Sequence, residues 1–245
     1  MNDVVILPDL EAIADDAATR WLQIAKTAVT ERGQFTIALS GGSTPRLLYQ
    51  RMASPPWTDQ IPWNETYIFF GDERRVPPDH PDSNYHMAYE ALISQVPISS
   101  ENVYRMDGEG LAKSAAREYE RMLEQHFSLG RREMPRLDLI LLGMGEDGHT
   151  ASIFPGTRAV SDLSNMVLAY LVPQLGVERM TLGLSVINNA RNVLFLVSGE
   201  KKAEALYQVL HGERRPSTYP SQAVDVRDGT LTFLVDQAAA AKLPG

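Results

Sequence analysis

The stretch 35-FTIALSGGSTPRLLYQRM-52 joins an apolar run, Phe35 to Leu39, to a segment carrying Leu47, Leu48 and Met52 on one side, by way of Ser40-Gly41-Gly42-Ser43-Thr44 and Pro45. The run reads as a strand because aromatic and β-branched residues lead into a glycine pair. The segment after it reads as a helix over 45–53, with Pro45 at the first helical position and Ser43 or Thr44 as the N-cap. A strand that enters a loop and opens a helix is the unit from which parallel α/β sheets are built. The same loop suits an anion. Paired glycines let backbone N–H groups approach a ligand, the hydroxyls of Ser40, Ser43 and Thr44 can donate, and the helix dipole favours negative charge there. A plain strand-to-helix turn explains the same residues, and the nucleotide-binding pattern G-x-x-x-x-G-K-[ST] is absent.

Outward from this unit, short apolar runs recur at 67–70, 137–142, 167–172, 181–186, 193–197 and 231–235. Several are apolar on both faces and lie a helix-length apart, as strands of a parallel sheet covered on both sides do. Helices are expected at about 9–31, 83–94, 111–128 and 200–211 besides that at 45–53. In the first of them Leu10, Ile13, Ala17, Trp21, Ile24, Ala25 and Ala28 form one apolar stripe that ends at Gly33, which is a core-facing pattern. The Pro-rich pieces at 54–62 and 215–220 are loop-sized, so one α/β domain over 1–245 is expected. The uneven spacing of the strands does not suit a closed eight-stranded α/β barrel.

Composition narrows the partners. The 245 residues are 44% hydrophobic and 22% charged, with a formal charge of -8, which argues against a surface made to hold nucleic acid or anionic lipid. The absence of cysteine removes disulfides, thiolate metal sites and a cysteine nucleophile, and favours a cytoplasmic home. Asp3, Asp9, Glu11, Asp15 and Asp16 do not fit a secretory leader, and no apolar run is long enough to span a bilayer.

Three further segments carry chemistry. In 67-YIFFGDERRVPPDHPDSNYHMA-88, Asp72 to Arg75 follow a strand directly, where open α/β sheets place ligand-contacting residues. Asp72, first past the strand, is expected inward, with Arg74 on the same face, Glu73 and Arg75 in solvated ion pairs, and Asp82 and Ser83 as the cap of the next helix. In 137-LDLILLGMGEDGHTASIFPGT-157, Gly143, Gly145 and Gly148 imitate the dinucleotide fingerprint, but Pro155-Gly156 interrupts the helix that fingerprint needs. What remains is Asp147 and His149 beyond a buried strand, a candidate general base with a carboxylate at hand to orient its ring. His80, His86, His126 and His211 read as structural or solvated. In 178–206, Arg179 begins a strand and Ser198-Gly199-Glu200-Lys201-Lys202 joins another strand to a helix, placing basic residues where a phosphate ligand would meet them. With one histidine among the inward candidates and no His-x-x-x-His or cysteine pair, no metal site is expected.

Taken in order, Ser40-Gly41-Gly42-Ser43-Thr44-Pro45, Gly71-Asp72-Glu73-Arg74, Gly143 to Pro155 with Asp147-Gly148-His149 at its centre, and Arg179-Met180-Thr181-Leu182 resemble the glucosamine-6-phosphate isomerase/6-phosphogluconolactonase superfamily across nearly the whole chain. Within it, Ser152-Ile153-Phe154-Pro155 follows the lactonase pattern, where deaminases carry Phe-Asn-Glu-Pro. The resemblance implies a Rossmann-like three-layer sandwich with a mostly parallel central sheet. It implies hydrolysis of 6-phospho-D-glucono-1,5-lactone without an organic cofactor or a required metal, by a monomer or weak homodimer. It puts a phosphate on the Ser40–Thr44 loop with Arg179 and Lys202, and catalysis on His149 with Asp72, Arg74 and Asp147. Lys202 is preferred over Lys201 because it lies three residues after Gly199, as the corresponding lysine does in the deaminases. Whether Asp72 or Asp147 orients His149, and whether Arg74 meets an oxyanion or substrate hydroxyls, stays open at this level. A sugar-phosphate deaminase and a non-catalytic sugar-phosphate-binding domain are the alternatives.

Overall fold

The computed structural model describes residues 3–244; Met1, Asn2 and Gly245, which fall in the expected domain, lie outside the described residues. A six-stranded parallel sheet contains β1 (Asp3–Leu7), β2 (Phe35–Leu39), β3 (Thr66–Phe70), β5 (Leu139–Leu142), β8 (Asn192–Val197) and β9 (Thr230–Asp236), in the order β1-β9-β8-β5-β2-β3. Every residue of β2 and of β5 is buried, because both lie inside a sheet whose two faces are covered. The helices that flank the sheet are α1 (Leu10–Arg32), α2 (Ser43–Met52), α3 (Asn84–Ala91), α4 (Ala112–His126) and α6 (Ala203–His211). This is the expected α/β architecture with a mostly parallel central sheet.

The long first helix forms where its stripe requires. Asp9 accepts from the Ala12 amide at 2.9 Å as the N-cap, and Gly33 ends the helix at φ 76, a left-handed conformation that costs glycine nothing. Its buried face carries Ile13, Ala17, Trp21, Ala25 and Ala28, and Trp21 meets Phe35 of β2 and Tyr49 of α2 with ring centroids 6.4 and 6.5 Å apart. On the other half of the sheet, Phe195 and Phe233 stack at 4.4 Å.

Two expectations need correction. The runs at 167–172 and 181–186 do not join the central sheet. Residues Val167–Val172 (β6) and Val177–Leu182 (β7) form an antiparallel pair that, with the short β4 (Asp72–Arg74), makes a separate sheet in the order β4-β7-β6. The connection 173–176 is too short for the crossover that parallel neighbours need, and Gly176 at φ 65 closes it as a hairpin. β7 therefore starts earlier than its apolar part, and Leu184–Ile187 (α5) is a helical turn rather than the end of a strand. The second sheet has a direct bearing on the site: it pairs the segment after β3 with the segment that carries Arg179.

Candidate active site

The first wall of the site is the loop between β2 and α2. Gly42 is the N-cap, at φ 110, and α2 begins at Ser43 with no side-chain cap bond, so neither Ser43 nor Thr44 caps the helix as expected and Pro45 stands third in it. Their hydroxyls are consequently not consumed in closing the helix end. A Cβ on Gly41 would fall on the Asn84 side-chain amide, which explains glycine at that position. The Ser40 hydroxyl is buried without a hydrogen-bond partner, and a buried unpaired hydroxyl costs free energy until something fills its bond. Ser40, Gly41, Gly42, Ser43 and Thr44 line a cavity of about 240 Å³ together with Asp72, Arg74, Asn84, His149 and Lys202.

The second wall is the loop after β5. The Gly145 amide donates to the His149 carbonyl at 2.8 Å and the Gly148 amide to the Gly145 carbonyl at 3.0 Å, with Gly148 at φ 76, so the chain doubles back within five residues. Inside this turn His149 Nδ1 lies 2.6 Å from Asp147 Oδ1, which also accepts from the His149 amide at 3.1 Å. A carboxylate at Nδ1 makes that nitrogen the donor and leaves Nε2 with the free lone pair of the neutral ring. Partial burial works to raise the Asp147 carboxyl, but the hydrogen bonds and charge of His149 prevail and hold it below the usual carboxylate range. The His149 ring stacks on Phe154 at 4.3 Å, which fixes its plane. From behind, Ser221 donates to the Gly148 carbonyl through its amide at 2.9 Å and its hydroxyl at 2.8 Å.

Asp72 is the inward residue expected past β3, but it does not touch the His149 ring. Its Oδ2 accepts from Ser152 Oγ at 2.7 Å and its Oδ1 from Asn84 Nδ2 at 3.1 Å. Asp147, not Asp72, is thus the carboxylate on the histidine. Glu73 and Arg75 were expected in solvent and are not there. Glu73 is 2% exposed, and its two oxygens accept from the amides of Arg74, Asn84 and Tyr85 and from Ser83 Oγ, so it seals the start of α3. Burial raises its pKa against those four bonds. Arg75 turns inward to the carbonyls of Asp107 and Gly110. Ser83 is the cap of α3, accepting from the His86 amide at 3.1 Å, while Asp82 offers its carbonyl to Arg74 Nη1 at 2.5 Å.

The basic residues divide. Ser198 Oγ donates to Asp236 at 2.5 Å and the Gly199 amide to the same carboxylate at 3.0 Å; this turn carries Lys202, and not Lys201, to the cavity wall. A second cavity of about 470 Å³ shares Asp72, Arg74, His149 and Lys202 with the first and adds Asp147, Phe154, Leu175 and Arg179. Arg179 lines this second cavity and not the first, whereas Lys202 lines both. Asn84, which fixes Asp72, and Leu175 at the hairpin tip were not singled out from the sequence, and Ser152, which also fixes Asp72, entered only as part of the lactonase pattern with no role of its own. Among the described residues no three His, Cys, Asp or Glu side chains gather as a metal-ligand set, and no helix is long and apolar enough to cross a membrane.

Comparison with known proteins gives the family and the fold. Residues 8–233 match the family described as glucosamine-6-phosphate isomerases/6-phosphogluconolactonase. A 6-phosphogluconolactonase of a Nostoc species is 40% identical over 242 residues, covering 98% of each chain. The structure of a 6-phosphogluconolactonase from Trypanosoma cruzi superposes with a TM-score of 0.88 at 28% identity, covering 100% of this chain and 98% of that one. A monomeric glucosamine-6-phosphate deaminase shares the fold at a TM-score of 0.83 and 20% identity, covering 98% of this chain and 99% of that one. By sequence along almost its entire length and by architecture, the chain belongs to the glucosamine-6-phosphate isomerase/6-phosphogluconolactonase family.

Proposed function

We propose that this protein hydrolyses 6-phospho-D-glucono-1,5-lactone to 6-phospho-D-gluconate, the second step of the oxidative pentose phosphate branch, as one domain with one site. The observation that carries the reading is the Asp147–His149 pair, with Nε2 left as the base, on a cavity wall shared with a hydroxyl- and glycine-rich helix entry. The names of the Nostoc and Trypanosoma relatives support the same substrate.

In this mechanism His149 Nε2 takes a proton from water as the water oxygen bonds to C1. Arg74 meets the negative charge that develops on the carbonyl oxygen. The bond from C1 to the ring oxygen then breaks, and the ring oxygen takes the proton back from the imidazolium. A base of this kind contributes about 10²–10⁴-fold, and an oxyanion donor a comparable factor. Asp147 holds the ring in the required tautomer, and Asp72, pinned by Ser152 and Asn84, fixes the strand end that carries Arg74. The phosphate, on the Ser40–Thr44 loop with Lys202 and Arg179, lies away from the reacting carbon and supplies the binding energy that positions the ring. We assign the enzyme to the cytoplasm as a monomer or weak homodimer that needs no cofactor.

The competing deaminase reading lacks its glutamate: at that place in the tetrapeptide stands Phe154, whose ring stacks on His149. The test is a coupled assay on freshly made 6-phosphogluconolactone, corrected for spontaneous opening, with glucosamine 6-phosphate run in parallel. Lactone turnover without ammonia release is expected. Ammonia release from the amino sugar would move the protein to the other branch.

A further inference from the structure

The Tyr49 ring is fully buried on α2, and its hydroxyl reaches back to Ser40, the first residue past β2. It accepts from the Ser40 amide at 2.9 Å and donates to the Ser40 carbonyl at 2.8 Å, so one side chain takes both main-chain groups of one loop residue. Burial drives the phenol far above its ordinary pKa, which keeps the proton it needs to donate and accept at once. The position is where a clamp matters. The ladder between β2 and β3 stops at Leu39 and Phe70, so no strand holds Ser40, and two residues later Gly42 sits at φ 110 in a region glycine explores freely. The Ser40 carbonyl and the Gly41 amide share one rigid peptide plane, so the orientation imposed on that carbonyl is passed directly to the Gly41 N–H at the head of the loop.

A second buried tyrosine provides the comparison. Tyr119 on α4 accepts from the Phe70 amide at 2.8 Å and shares its proton between the carbonyls of Tyr104 at 3.2 Å and Phe70 at 3.3 Å, a related device at the end of β3, where the chain continues to Asp72 rather than to the glycine loop.

We infer that Tyr49 is a positioning residue for phosphate recognition: by holding both backbone groups of Ser40, its hydroxyl fixes the direction in which the Gly41–Thr44 amides and hydroxyls meet an anion. This rests on reading that loop as the phosphate site. Tyr49 touches neither cavity, and its effect passes entirely through Ser40.

The test compares wild type, Tyr49→Phe and Tyr119→Phe on the phosphorylated lactone and on unphosphorylated gluconolactone. Tyr49→Phe should raise KM for the phosphorylated substrate by about tenfold or more, with KM for the other substrate and both kcat values within about twofold. The ratio of kcat/KM for two substrates does not depend on how much of a variant is folded, so destabilisation alone cannot produce this result. Tyr119→Phe removes an equally buried hydroxyl and should leave the ratio unchanged. An unchanged ratio in Tyr49→Phe, or an equal shift in Tyr119→Phe, overturns the inference. If Tyr49→Phe does not fold, residue-resolved amide exchange on wild type decides: the Ser40 amide should exchange slowly with or without inorganic phosphate, and those of Gly41–Thr44 should slow on adding it. A Ser40 amide as fast as that of Gly41 overturns the role of Tyr49. Absence of lactone turnover in wild type would instead remove the functional reading of the site, and the exchange experiment would still judge the clamp.

Discussion

Arg74 and Arg179 are directly opposite each other in the antiparallel β4–β7 ladder, two guanidinium groups on one face of the small sheet and on the wall of one cavity. Burial lowers the Arg179 pKa first and the charge of Arg74 lowers it further, with only partial relief from Asp72, Asp82 and Glu73. Among the described residues neither arginine closes an ion pair; their side chains bond to the carbonyls of Asp82 and Glu178. Facing like charges are destabilising by about 0.2–1 kcal/mol. The arrangement makes sense for a site that receives an anion.

Removing one of the pair should therefore separate stability from binding. Arg179→Met is expected to leave the melting temperature unchanged or to raise it by up to roughly 2–4 °C, while KM for the phosphorylated lactone rises about ten- to hundredfold. Lys202→Ala should show the same loss of affinity and Lys201→Ala almost none. Equal losses on phosphorylated and unphosphorylated lactone would take both residues out of the phosphate site.

For the histidine, His149→Gln should lower kcat by at least about 10² while competitive inhibition by 6-phosphogluconate survives. Asp147→Asn should also lower kcat, because an uncharged amide can turn its NH2 towards Nδ1 and no longer fixes that nitrogen as the donor. The Asp147 carboxyl is depressed in the fold, so its stabilising effect is complete above the ordinary carboxylate range and is lost as pH falls from there through the lowered value. A His149 variant with near-normal kcat would show that another group activates the water.

Gly145 offers a substitution that leaves every titratable group in place. A Cβ there would fall on His149 Nδ1 and crowd Asp147 Oδ1, and neither can retreat while the turn stays closed. Gly145→Ala should lower kcat by about 10² or more, as displaced catalytic groups do, with the inhibition constant of 6-phosphogluconate nearly unchanged. Normal turnover would mean that the Asp147–His149 contact is dispensable.

A separate pH effect belongs to His126, packed against Tyr67 at 4.6 Å, Phe127 at 5.0 Å and Phe69 at 5.2 Å, with Nε2 buried and unpartnered. Burial lowers its pKa below the unfolded value, so the unfolded chain takes up the proton first. Stability from this group is complete above about pH 6.5, falls as pH drops from there towards the lowered value, and is flat beneath it. Denaturant melts of wild type and His126→Phe at pH 5 and 7.5 should show a smaller pH difference in the variant. An identical difference in both proteins would assign the acid sensitivity elsewhere.

The parallel sheet and most of the site were legible because their signals are local. An apolar run ending in Ser40-Gly41-Gly42 announces a strand end and a loop at once, and Asp147 and His149 are close enough in sequence for one turn to join them. What stayed hidden depends on distant contacts. Arg179 sits in a half-polar strand whose place is set by pairing with Asp72–Arg74, and nothing in 177–182 alone names that partner. Glu73 reads as surface because glutamate seldom is buried; only the three donors at the start of α3, with the Arg74 amide as a fourth, make burial tolerable. Nothing in the sequence around Asn84 marks it. Its contact with Gly41 and its bond to Asp72 arise from the way α3 docks.

The order of strands carries a consequence for how the chain is made. Among the described residues strand β1 is hydrogen-bonded to β9 and to no other strand, so β1 waits through the synthesis of more than two hundred residues before it is paired. Until then it presents an unpaired edge, the feature by which nascent chains stick to one another. The segments that form the glycine loop and the histidine turn are already synthesised by that time, but Ser221, which braces the histidine turn, comes late as well. A chain released before Thr230 would lose β9 and leave β1 without its partner, so quality control by the cell would act on two strands for the loss of one.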